Sequence, residues 1–131
     1  MDQAELRERT MRFAVRAVKF CRTLPETWEA RRMAGQLIDS ATSVAMNYRA
    51  AGRGRSRAEF IAKLGLVVEE SDESVGWLEL IARLELSSGP ELMWLTGESQ
   101  ELLAIFGKSQ ITAKDNLRLA REASRRRTNK S

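Results

Sequence analysis

The chain has 131 residues, enough for one domain with a buried core, and it carries no histidine and a single cysteine, Cys21. That composition excludes Ser-His and Cys-His nucleophiles, histidine metal sites, structural zinc of the usual kind and an internal disulfide. The net charge of +4 is unevenly spread: residues 1–24 and 25–57 carry +3 each, residues 58–110 carry −7 and residues 111–131 carry +5. A chain with basic ends and an acidic centre attracts itself, a second copy or a polyanion.

In chain order, a helix is predicted from Asp2 to Arg22. Leu6, Thr10, Phe13, Ala17, Phe20 and Leu24 step by four and three residues along one face, and Pro25 stops it. A second helix runs from Thr27 or Trp28 to Ala51, with Met33, Leu37, Ala41, Val44 and Tyr48 as its stripe. Its small residues Ser40, Ala41, Ser43 and Ala45 let a partner helix come close. Gly52 and Gly54 end it, and Ser56-Arg57-Ala58-Glu59 then forms a capping box. The Ser56 hydroxyl is expected to accept from the Glu59 N–H, and the Glu59 carboxylate from the Ser56 N–H.

The third helix spans Arg57 to Leu86, with Phe60, Leu64, Val67, Ser71, Ser74, Leu78 and Ile81 on one face. Ile61, Val68, Val75 and Ala82 repeat beside them in strict sevens, which implies near-parallel packing with a slight left-handed twist. Trp77, Leu80 and Leu84 widen the apolar arc, so Trp77 either joins the core or seals a subunit interface. Pro90 opens a fourth helix with Leu92, Leu95, Ser99, Leu102, Phe106 and Ser109 as its stripe and Gly107 as its expected end. Residues 1–110 therefore read as an all-α, up-down antiparallel four-helix bundle. Residues 111–131 read as a basic tail, helical or disordered, in which Thr112 and Asp115 can cap a stretch to Ala123. No apolar segment is long enough for a signal peptide core or a membrane span, so a soluble, cytoplasmic protein is expected.

Chemistry-bearing clusters are few. Glu69, Glu70, Asp72 and Glu73 lack the histidines that bundle metal sites use. Glu70 and Glu73 are expected to face solvent, or to pair with Arg49 and Arg53 of the second helix or of a neighbouring subunit, as a network that fixes helix or subunit pairing. The GRGRS break lacks the phosphate-loop pattern and reads as a helix stop. Ser71 and Ser74 read as small core residues and Cys21 as a buried thiol. Neither catalytic residues nor a metal or other cofactor is expected.

Two basic stripes carry the functional signal. Arg9, Arg12, Arg16 and Lys19 lie along one side of the first helix. Lys114, Arg118, Arg121 and Arg125 repeat that spacing near the C-terminus, followed by Arg126, Arg127 and Lys130. Such stripes either face solvent or contact phosphates with little choice of sequence.

The run from Gln36 to Ala51, with Arg53, Ser56, Glu59, Phe60 and Lys63 and then Glu70-Ser71-Asp72-Glu73-Ser74 and Trp77-Leu78, resembles the four-helix-bundle proteins encoded in intervening sequences of bacterial 23S rRNA genes. The resemblance runs from about Phe13 to Leu86. It implies an up-down bundle assembled as a ring, a homopentamer, similar in fold to the accessory variability proteins of diversity-generating retroelements. It supplies no catalytic residues. The expected function is a non-enzymatic, oligomeric binder of nucleic acid, RNA in particular. The alternative is an accessory subunit that binds a reverse transcriptase.

Overall fold

The computed structural model describes residues 1–130. Four helices follow one another: α1 (Gln3–Cys21), α2 (Trp28–Ala51), α3 (Arg57–Arg83) and α4 (Pro90–Asn129). Each packs on its neighbours in chain order, and α4 closes back onto α1. Arg9 of α1 meets Glu98 of α4, and Arg16, seven residues on, meets Glu91, seven residues back. That register is antiparallel, so the expected up-down four-helix bundle is the fold.

The predicted stripes form the core. Phe13, Leu37, Leu64, Leu78, Ile81, Leu95, Leu102 and Phe106 are fully buried, and the Phe106 ring tilts against Tyr48 with centroids 5.0 Å apart. The α2–α3 contact is built from small side chains: Ser40, Ala41, Ala45, Ser71 and Ser74 are all buried. The Ser74 hydroxyl lies 2.9 Å from Ser40 Oγ and 2.9 Å from the Glu70 carbonyl, so no buried hydroxyl goes unpaired there. Trp77 packs half-buried against the core, while Leu80 and Leu84 stay exposed. Cys21 is buried, and desolvation pushes its thiol up to about 11.

Local chemistry sets the helix ends. Asp2 and Thr27 accept from the N–H groups of Glu5 and Ala30, and Ser56 accepts from that of Glu59. The other half of the expected capping box is displaced by one residue. The Glu59 carboxylate accepts from the Arg55 N–H at 2.6 Å, not from Ser56. The third helix also stops short of Leu86. Glu85 turns left-handed at φ 56°, its N–H bonds to the Ala82 carbonyl, and the Leu86 N–H reaches the Ile81 carbonyl. This terminal motif satisfies carbonyls that the helix leaves open, and Leu86 folds back onto the core.

The largest departure from expectation is α4. Gly107 does not end it; the helix continues unbroken to Asn129, 40 residues in all. A glycine in a helix costs about 1 kcal/mol relative to alanine. Burial of its neighbours Phe106 and Leu102 outweighs that cost. At 1.5 Å per residue α4 is about 60 Å long and α3 about 40 Å. Arg57 and Phe60, at the start of α3, share a cleft with Ala113, Asn116 and Leu119 of α4. Residues beyond Leu119 therefore project past the bundle by about 15 Å.

Candidate nucleic-acid interface

The structure takes the first basic stripe apart. Arg9 is almost buried, with 14% of its side chain exposed, and forks onto Glu98 at 2.9 and 2.7 Å while also reaching Glu101 at 3.0 Å. The hydrogen bond to Glu98 raises its pKa further above the ordinary arginine value, desolvation opposes this, and Glu101 adds to it. Arg16 forks onto Glu91 at 2.9 and 2.8 Å and stacks over the Trp94 ring, 3.5 Å from its centroid. That hydrogen bond holds the Glu91 carboxyl below its usual range. Among the described residues, the ion pairs that cross between helices all join α1 to α4. These two helices are also the least closely packed neighbours. Arg9 and Arg16 are thus fasteners of the bundle, and of the four stripe residues only Arg12 and Lys19 remain exposed. The signal was present in the sequence: two arginines seven apart on α1 face two glutamates, Glu91 and Glu98, seven apart on α4.

The expected network of Arg49 and Arg53 with Glu70 and Glu73 does not form within the chain. The Ser40–Ser74 contact sets the α2–α3 register, which places Glu70 level with Val44. Arg49 lies five residues further along, about 7.5 Å away. Arg49, Arg53 and Glu73 are exposed. Glu70 is half-buried, and its carboxyl is raised by desolvation first and then by Glu73, Glu69 and Asp39. Among the described residues, no salt bridge joins this acidic face to a cation. Among the described residues, no group of three or more Cys, Asp or Glu side chains is placed to hold a metal ion.

The second stripe is intact and extended. Lys114, Arg118, Arg121 and Arg125 are all exposed, and at 100° per residue they stay within an arc of about 60° on α4. The Arg118–Glu122 pair, 3.1 Å and exposed, is the single ion pair on that segment among the described residues. Arg126, Arg127 and Lys130 follow, also exposed. The GRGRS break proves more than a helix stop. It sets exposed Arg53 and Arg55, with Arg57 at the start of α3, at the same end of the bundle, and Arg57 shares its cleft with Ala113, Asn116 and Leu119. Read separately along the chain, the turn and the tail lie some sixty residues apart; the antiparallel return of α4 brings them together.

A family model described as 23S rRNA-intervening sequence protein matches residues 2–108. A solved structure similar to the chain is that of a protein of unknown function from the S23 ribosomal protein family of Bacteroides thetaiotaomicron. It is 29% identical, covers 84% of this chain and 98% of that one, and superposes with a TM-score of 0.76. No curated protein matches. The family match stops at residue 108, before the basic row on α4 begins. Among the described residues, no helix is long and apolar enough to cross a membrane.

Proposed function

The chain belongs to the 23S rRNA-intervening sequence protein family, and from that premise we propose that it is a non-enzymatic, self-assembling binder of nucleic acid, RNA in particular. The observation that carries this reading is the basic end of the bundle. Lys114, Arg118, Arg121 and Arg125 form an exposed row on a helix that projects from the fold, beside the arginines of the α2–α3 turn. Exposed cations are what phosphate binding requires; in this row only Arg118 has a carboxylate partner among the described residues, the exposed Glu122, whereas Arg9 and Arg16 are already held by α4 glutamates. Titrating a fluorescent RNA with the full chain at low salt should show saturable binding that weakens steeply as salt rises. Absence of binding at low salt would overturn the proposal.

Self-assembly has separate support. Among the described residues, the acidic face around Glu70 forms no salt bridge. A groove between α1 and α2, lined by Met11, Val15, Val18 and Met46, leaves Val15 44% and Met46 50% exposed and carries Lys19 and Arg22 at its edge. An acidic surface and a basic-rimmed apolar groove on different faces suit a head-to-tail contact, which forms a ring when the rotation between copies closes. Sedimentation equilibrium should return a multiple of the 14.8 kDa chain mass. Substituting Glu70→Lys and Glu73→Lys together should return single chains. A native chain that remains single at micromolar concentration would contradict the assembly.

A further inference from the structure

We infer that the basic end of the bundle selects double-stranded over single-stranded nucleic acid; the inference rests on the proposed function and names the substrate class of that same site.

The first observation is what the site lacks. Binding to single strands draws on bases stacked against exposed aromatic rings, worth about 1–3 kcal/mol per base. No aromatic residue follows Phe106, and Phe106 itself is fully buried. Tyr48 is buried and Phe60 half-buried, with Phe60 turned into the clefts between α3, α1 and α4. The one strongly exposed ring, Trp28 at 75%, opens α2 and stands a full 24-residue helix away from the basic turn. That helix spans about 36 Å. An unpaired base arriving at the basic end meets guanidinium and ammonium groups, and the one ring near them, Phe60, is half-buried and offers no fully exposed face.

The second observation is the arrangement of charge. The row on α4 is straight, because it rides on one unbroken helix, and it covers about 16 Å from Lys114 to Arg125. The turn arginines supply a second group of cations from different elements. Arg57 stands by Ala113, Asn116 and Leu119, which lie on other sides of α4 from the row. Two fixed groups of cations on different sides of one rod suit two phosphate backbones held at a fixed separation. A single strand must give up conformational entropy to follow both. A duplex also carries twice the phosphate density along its axis, one charge per roughly 1.7 Å. Recognition of this kind reads backbone and shape and carries little choice of sequence.

The test uses the full chain and a fluorescent 24-nucleotide strand free of self-complementarity, as single-stranded RNA, as duplex RNA with its complement, and as duplex DNA of the same sequence. Affinity is compared per phosphate at one low salt concentration. Either or both duplexes should bind at least tenfold more tightly than the single strand, and the two duplex arms distinguish RNA from DNA as the source of the double-stranded backbone. Single-stranded RNA bound as tightly as both duplexes, or more tightly, overturns this inference and leaves the proposed function standing. Binding to none of the three overturns both.

Discussion

Replacing Arg9 with alanine should destabilise the bundle by about 2–4 kcal/mol, because it leaves Glu98 unpaired at 10% exposure between α1 and α4. Loss of one partner of a nearly buried pair costs more than the pair contributes, since the remaining carboxylate has lost its water and gained nothing. Replacing both members with apolar side chains, Arg9→Met with Glu98→Leu, should recover most of the loss, because no charge is then stranded. Urea unfolding of the three variants decides between the structural role and a role in phosphate contact. A structural Arg9 gives a large change in the single variant and a small one in the double. An Arg9→Ala chain of native stability with weakened RNA binding would return Arg9 to the interface.

Neutralising the α4 row with Lys114→Gln, Arg118→Gln, Arg121→Gln and Arg125→Gln should lower nucleic-acid affinity at least 100-fold at about 50 mM salt. Glutamine is a good helix former, and the one ion pair lost, Arg118–Glu122, is exposed and contributes little to stability. Helical content and unfolding midpoint should therefore stay native, which separates loss of binding from loss of fold. The matching change on α1, Arg12→Gln with Lys19→Gln, should cost only a few-fold, because that stripe has lost Arg9 and Arg16 to ion pairs. Equal losses from the two sets would place the interface on both helices.

The sequence made the bundle legible because its information is local. Leu6, Thr10, Phe13, Ala17 and Phe20, or Leu64, Val67, Ser71, Ser74, Leu78 and Ile81, declare a helix and its buried face by spacing alone. The same periodicity identified Ser71 and Ser74 as small core residues. What spacing does not encode is partner choice. Arg9 and Arg12 look alike on α1, yet one faces Glu98 and the other water, a difference set by α4 some ninety residues away. That Arg49 and Glu70 do not pair within the chain has the same cause, since the α2–α3 register depends on which small residues meet, here Ser40 and Ser74. Gly107 misled because helix propensity is a weak local term and the packing of Phe106 overrides it. The basic turn was visible as letters, but its place beside the α4 row exists only in the fold.

The most direct test of the nucleic-acid reading is the dependence of duplex affinity on salt, measured for the native chain and for the four-glutamine variant. Each phosphate contact contributes a slope of about −0.9 to a plot of log affinity against log salt concentration. If the α4 row makes these contacts, the variant's slope should be shallower than the native one by about 3 to 4. A variant that keeps both the native slope and the native affinity would contradict the assignment of this row as the nucleic-acid interface.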